Sequence, residues 1–229
     1  MNINGLQKLT LLDYPGHTAC TVFLSGCAFR CPFCHNFELA ESKAPVLMDE
    51  TELFAFLKKR KGILDGVAFT GGEPLLRPEL PKILASIKQE GFKVKLDTNG
   101  YHPKELRSVI AQDLVDYVAM DIKNSPEKYA RTAGLSSLDF SRIEESISML
   151  LDEPCDYEFR TTVIEQLHDA DSFRAIGPLI KGARQYFLQA FIDRDTVPYA
   201  GFTAPPKETM EEYADLVRSF VREVSLRGV

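Results

Sequence analysis

Apolar positions recur along this chain at two spacings, and the two alternate. Short runs with the length and composition of buried strands fall near 18–24, 66–70, 92–97, 115–121, 157–163 and 185–191. Between them the apolar residues move to three-and-four spacing. Asp49 with Glu52 caps a predicted helix carrying Leu53, Phe54 and Leu57, and Leu80, Ile83, Leu84 and Ile87 form a second stripe that Gly91 closes. Near the end, Thr209 and Glu212 make a capping-box pattern. They introduce a stripe of Met210, Tyr213, Ala214, Val217, Phe220, Val221 and Val224, which predicts one long last helix with a buried face.

Strand and helix in repeated succession predict an α/β fold with parallel strands and right-handed crossovers. Six strands are too few for a closed eight-stranded barrel, so the expected architecture is a partial (β/α)6 barrel. No low-complexity block, fixed-period repeat or linker divides the chain, and Pro205-Pro206 reads as a helix start. A single domain over 1–229 is expected.

Composition narrows the function classes. With 45% hydrophobic and 26% charged residues the chain has the makings of a core. Its net charge of -6 and pI near 5.3 disfavour general attraction to nucleic-acid phosphates. The start MNINGLQKLTLLDYPG lacks the basic and apolar regions of a signal peptide, and no run is long enough to span a bilayer, so a cytoplasmic protein is expected.

The chemistry-bearing residues sit where predicted strands end. The stretch SGCAFRCPFCHN follows the first strand, Gly71-Gly72-Glu73 the second, Asp97-Thr98-Asn99-Gly100 the third and Asp121-Ile122-Lys123 the fourth. In parallel β/α folds, ligands collect at the carboxyl ends of the strands. Cys27, Cys31 and Cys34 place three soft, charge-donating thiolates in eight positions, a set suited to an iron–sulfur cluster or to zinc. A structural zinc site needs a fourth ligand. His35 is the immediate candidate, but it adjoins Cys34, which makes joint ligation of one ion awkward. Cys20 and Cys155 lie in or beside apolar segments and read as small hydrophobes. His17, His102 and His168 stand apart from the loop, and nothing local gives them a metal or a proton to carry.

Each remaining candidate carries an ordinary reading beside a functional one. Gly71 and Gly72 permit close backbone approach and Glu73 offers an anionic acceptor for an ammonium group; alone, the tripeptide would be a turn before a helix. Asn99-Gly100 is a turn signal, while Asp97 and Thr98 offer oxygens. Strand alternation puts Asp121 and Lys123 on one face, able to pair with each other or to meet a ligand. Arg160 has donors for a carboxylate or a ribose, or for a plain ion pair.

The spacing Cys27-x3-Cys31-x2-Cys34 resembles the signature of the radical S-adenosylmethionine superfamily. The resemblance implies that the three thiolates hold three irons of a [4Fe-4S] cluster, whose fourth iron takes the amino and carboxylate groups of S-adenosylmethionine. One electron from the cluster then cleaves a carbon–sulfur bond, giving methionine and a 5′-deoxyadenosyl radical that abstracts a hydrogen atom.

The continuation Cys34-His35-Asn36 is similar to that of glycyl-radical-enzyme activating proteins. With GLQKLTLLDYPG at 5–16, GGEP at 71–74, DTNG at 97–100 and DIK at 121–123, the chain looks like activating proteins of anaerobic ribonucleoside-triphosphate reductase. The match is weaker through RTTV at 160–163 and LQAF at 188–191, where Ala190 replaces a common proline. The resemblance implies that Glu73, with Gly71 and Gly72, holds the methionyl amino group. It implies that Thr98, Asp121, Lys123 and Arg160 lie around the rest of the ligand, and that Asp97 and Asp121 hold a bridging monovalent cation. Phe33 would shield the cluster. No side chain need act as a general acid or base.

The implied partners are a glycyl-radical enzyme and a flavodoxin or ferredoxin electron donor. Five cysteines leave no insert for further four-cysteine clusters, which favours the reductase system over larger catabolic activases. A pyruvate formate-lyase partner, a small-molecule substrate and a non-catalytic zinc-stabilised binding protein are the alternatives.

Overall fold

All six strand-like runs form strands in a chain that the computed structural model describes from Met1 to Val229. Its contacts gather into two units. The first comprises Met1–Ala28, Glu38–Thr98 and Lys104–Val118; the second comprises Phe29–Phe37, Asn99–Pro103 and Ala119–Val229.

The first unit contains β1 (Asn2–Ile3), β2 (Gly5–Thr10), β3 (Ala19–Leu24), most of α1 (Phe37–Ala40), β4 (Met48–Asp49) and α2 (Glu50–Lys58). It continues through β5 (Gly66–Gly71), α3 (Leu80–Gln89), β6 (Lys93–Thr98) and most of α4 (Pro103–Ala111). Strands β3, β5 and β6 are parallel neighbours, with Leu24 opposite Gly71 and Gly66 opposite Lys93. Val22, Leu24, Val67, Phe69, Val94 and Leu96 are buried, as are Leu53 and Leu57 of α2 and all four apolar residues of the α3 stripe. Each such side chain contributes roughly 1.5–3 kcal/mol relative to exposure. Asp49 and Glu52 form the expected capping box at the start of α2. Strand β2 was not expected. It pairs antiparallel with β3, and its exposed run Gln7, Lys8 and Leu9 breaks the alternation that marks a half-buried strand.

Strand β7 (Tyr117–Asp121) begins in the first unit and ends in the second. There follow α5 (Pro126–Thr132), α6 (Ser141–Leu151), β8 (Asp156–Val163), α7 (Ala170–Leu179), β9 (Gln185–Ala190), α8 (Lys207–Arg218) and β10 (Glu223–Arg227). Strands β8, β9 and β10 are parallel neighbours, with Arg160 opposite Phe187 and Phe187 opposite Ser225. Tyr157, Phe159, Tyr186 and Leu188 are buried together with Phe173 and Ile176 of α7 and Met210, Ala214 and Val217 of α8. The two helices meet through Phe173 stacked on Tyr213 at 4.5 Å.

Two expectations about the last helix need correction. Pro206, without a side-chain bond, is the N-cap of α8, so Thr209 lies inside the first turn and forms no capping box with Glu212. The helix also stops at Arg218, and Val224 belongs to β10. Gly182 N–H donates to Phe220 O at 2.8 Å and Arg222 N–H to Ala183 O at 2.9 Å, which redirects the chain alongside β9. A three-residue step from Val221 to Val224 fits either a helix or a strand start, and the long-range bonds decide it. No helix is long and apolar enough to cross a membrane.

Candidate functional site

In the first unit the site begins where β5 runs past the end of β3. Gly72 N–H donates to Leu24 O at 2.8 Å and Glu73 N–H to Gly26 O at 2.7 Å. Gly71 has φ +120, and a Cβ at either glycine would strike backbone: Leu24 at the first position, the Gly26 carbonyl at the second. This close approach delivers Glu73 to a fully buried position, at 0% exposure. Its Oε1 accepts from Thr98 Oγ1 at 2.9 Å and from Leu75 N–H at 3.1 Å, capping the short 3-10 turn Pro74–Leu76. A cap of this kind does not exclude the functional reading of Glu73, since a carboxylate has about four acceptor sites. Asp97 pairs with Lys95, a buried lysine two positions upstream on β6. Arg77 Nη2 donates to Ser25 Oγ at 2.7 Å beside this turn.

Cys27 lies in the first unit, and Cys31 and Cys34 in the second. Cys34 N–H donates to Cys31 O at 3.1 Å, a turn that brings the two residues together. Cys31 is buried at 7% exposure and Cys34 half-buried. Burial pushes the Cys34 thiol above its ordinary range, while the Asn36 backbone N–H and the nearby Lys123 ammonium offset part of that rise. The next turn of chain is clasped from one side. His35 stacks on Phe191 at 5.4 Å with Nε2 2.6 Å from Ile192 O, and Phe33 and Phe37 meet Phe202 and Tyr199 edge-on. Phe33 is itself buried.

At the end of β7, Asp121 sits between two cations. Lys123 Nζ is 2.9 Å from Oδ2 and Arg160 Nε is 3.0 Å from Oδ1. Burial alone would raise the Asp121 pKa; Lys123 and Arg160 outweigh it and hold the carboxyl at about 2. For Lys123, burial pulls downward, and Asp121 with Cys31 more than reverses this, leaving the ammonium well above its usual range. The segment is fixed by neutral bonds. Tyr129 OH donates to Asp121 O at 3.3 Å, and His168 Nε2 lies 2.8 Å from Lys123 O. Asn99-Gly100 forms the expected turn, with Tyr101 N–H on Asn99 Oδ1 at 2.9 Å and the Ser146 hydroxyl donating to Gly100 O at 2.7 Å.

No disulfide joins the five cysteines. Burial pushes the Cys20 thiol up to about 12, as befits an inert core residue. No three His, Cys, Asp or Glu side chains stand close enough to hold a single metal ion. The engagement of His35 Nε2 by Ile192 O opposes His35 as the fourth ligand of a one-ion zinc site. Three reduced thiols without a fourth partner fit a cluster in which each sulfur meets a different iron.

The sequence model of the Radical SAM superfamily matches residues 21–171, which include all three thiols, Glu73, Asp97, Thr98, Asp121, Lys123 and Arg160. The chain belongs to the radical SAM superfamily. A Methanocaldococcus jannaschii protein provisionally named a glycyl-radical enzyme activating enzyme is 28% identical over 99% of this chain and 96% of its own length. The pyruvate formate-lyase-activating enzyme of Clostridium pasteurianum is 29% identical over 80% of this chain and 77% of its own length. The crystal structure of Streptococcus suis SuiB bound to S-adenosylmethionine shares the fold at TM-score 0.66, with 11% identity, over 91% of this chain and 52% of SuiB.

This radical SAM enzyme accordingly uses a [4Fe-4S] cluster and S-adenosylmethionine. It has the α/β fold of the superfamily with a mostly parallel sheet, with which a partial barrel is consistent, and β10 adds a parallel strand to the six that were expected. Sequence reasoning passed over Lys95, Tyr129, Glu158 and Arg227. Lys95 and Glu158 left a local trace, each as a charge two positions before a site residue, Asp97 and Arg160, on the same face of a strand.

Proposed function

We propose that this radical SAM enzyme activates an anaerobic (class III) ribonucleoside-triphosphate reductase by generating a glycyl radical on it. The observation that carries the activase reading is similarity over 99% of this chain and 96% of a relative named for glycyl-radical enzyme activation. The choice of reductase rests on the ordered motifs of the first half of the chain and on a cysteine count that leaves no second cluster. When bound, the cluster supplies one electron to the sulfonium of S-adenosylmethionine, and the resulting 5′-deoxyadenosyl radical takes a hydrogen atom from a glycine Cα of the partner.

The chain's own residues bind and orient. Cys27, Cys31 and Cys34 would hold the cluster through their thiolates. Glu73, delivered by Gly71 and Gly72, accepts from the methionyl ammonium, and Thr98 fixes its carboxylate. Lys123 and Arg160, aligned by Asp121, face the ligand carboxylate. A monovalent cation at Asp97 and Asp121 would share oxygens already paired with Lys95, Lys123 and Arg160. The electron donor is a flavodoxin or ferredoxin, and these partners make the protein cytoplasmic.

The test is anaerobic electron paramagnetic resonance of reduced, cluster-loaded enzyme mixed with S-adenosylmethionine and the reductase from the same cell. A glycyl-radical signal that disappears with Cys31→Ala is the expected result. The Clostridium relative favours a second reading, in which pyruvate formate-lyase is the partner. A signal only on that partner would select it, and 5′-deoxyadenosine formation without a radical on either protein would point to a small substrate.

A further inference from the structure

Parallel sheets are usually apolar on both faces. In the second unit, alternation along the register puts Glu158 and Arg160 of β8, Phe187 of β9 and Ser225 and Arg227 of β10 on the face opposite the helix-packed Tyr157, Phe159, Tyr186 and Leu188. The charges on that face are connected. Arg227 makes a two-pronged bond to Glu158, Nη1 to Oε1 at 3.0 Å and Nη2 to Oε2 at 2.9 Å, while its guanidinium lies 3.4 Å from the centre of the Phe187 ring. Glu158 is 1% exposed, and Arg160 Nη1 approaches it to 3.9 Å. Arg160 Nε is bound to Asp121, and Asp121 to Lys123. The row therefore reads Arg227, Glu158, Arg160, Asp121, Lys123, with three cations set against two carboxylates.

We propose that Glu158 and Arg227 are positioning residues that act through Arg160 to hold the site for the carboxylate of S-adenosylmethionine. A ligand carboxylate that reaches Arg160 and Lys123 meets cations already oriented by Asp121, and Glu158 is the second carboxylate within reach of Arg160. Arg227 matters because it occupies Glu158. Bidentate guanidinium–carboxylate pairing is stronger and more directional than the single 3.9 Å approach of Arg160, so Arg160 keeps its better bond to Asp121. Without Arg227, Glu158 remains buried and loses its two-pronged partner, and Arg160, 3.9 Å away, is a cation placed to approach it more closely. The guanidinium then swings from Asp121 toward Glu158 and away from the ligand.

The test measures equilibrium binding of S-adenosylmethionine to the cluster-loaded, unreduced enzyme, in which no cleavage occurs. Arg227→Met is expected to raise Kd about tenfold, equivalent to about 1.4 kcal/mol. The double variant Glu158→Gln with Arg227→Met removes the competing carboxylate and is expected to return Kd to within about threefold of the parent. Under turnover the single variant raises KM and spares kcat. Should Arg227→Met fold poorly, Arg227→Lys keeps the charge without the two-pronged bond, and its expected loss is about threefold.

An unchanged Kd in Arg227→Met, or in Arg227→Lys where that variant carries the test, overturns the proposal. So does a double variant as weak as the single one, or an Arg160→Gln variant that binds like the parent. Intact binding with no glycyl radical on the reductase would instead sink only the partner assignment.

Discussion

Glu73 and Asp121 are both carboxylates at the ends of parallel strands, one in each unit, yet they are held in opposite ways. The donors on Glu73 Oε1 are neutral, a threonine hydroxyl and a backbone N–H. Asp121 is gripped by an ammonium and a guanidinium. Neutral donors fix a carboxylate's direction without cancelling its charge, whereas cations cancel it and are themselves aimed. The first arrangement suits an acidic group that receives a cation. The second suits an acidic group that presents cations to an anion.

The sharpest way to break this contrast is to remove each negative charge in turn. Asp121→Asn leaves Lys123 and Arg160 uncompensated and is expected to cost about 2–3 kcal/mol in urea unfolding, discounted from the buried-pair range because the Asp121 side chain is 30% exposed. Glu73→Gln, which keeps an acceptor oxygen for Thr98 and Leu75, should cost no more than about 1 kcal/mol. A reversed order would end the comparison. The same Glu73→Gln variant should nonetheless bind S-adenosylmethionine about 10- to 100-fold more weakly, as measured by equilibrium dialysis, because a charge-assisted bond becomes a neutral one.

A smaller effect concerns the backbone that carries Lys123. His168 Nδ1 lies 3.1 Å from Ile164 N and 3.2 Å from Ile164 O, and Nε2 lies 2.8 Å from Lys123 O, so the ring joins two backbone segments. Burial lowers the His168 pKa from the usual 6.5. The unfolded chain therefore takes up a proton first as the pH falls below 6.5, and stability declines with acid at up to about 1.4 kcal/mol per pH unit until the folded value is reached. His168→Gln should remove that component from the pH profile of urea midpoints, and an unaltered profile would exclude His168 as its source. The smallest expected change is Thr98→Val, which removes one neutral bond to Glu73 and should cost about 1 kcal/mol. A loss of 3 kcal/mol or more would show that Thr98 carries more than a neutral bond.

Much of this arrangement is local and so could be read from the residues. The six parallel strands follow from apolar runs, Asp49 with Glu52 from a capping pattern, and the site clusters from their position after strands. What escaped is long-range. Strand β2 is stabilised by pairing with β3 and not by its own alternation, and β10 is separated from α8 by bonds to Ala183 and Gly182 that no neighbouring residue announces. Lys95 and Glu158 are buried charges whose compensation comes from Asp97 two positions away and from Arg227 on a distant strand. The exposed-looking composition of Lys, Asp, Glu and Arg gives no hint of which charges face inward. Asp121 and Lys123 were legible as a pair from their spacing of two, although β7 ends at Asp121 and Lys123 lies just beyond it.

The contact between Gly72 and the Gly26 carbonyl has a bearing on how such motifs are to be weighed. Every other amino acid has the carbon that this space refuses, so a saturation library at position 72, selected for folding alone, should return glycine. At position 73 the same selection should admit glutamine, because the fold asks only for an acceptor. Two of the three letters in Gly71-Gly72-Glu73 thus measure how closely two segments of backbone approach, and under the proposed function one measures chemistry. A descendant that had abandoned the reaction would keep the glycines and let the glutamate drift, and the pattern of that drift would date the loss.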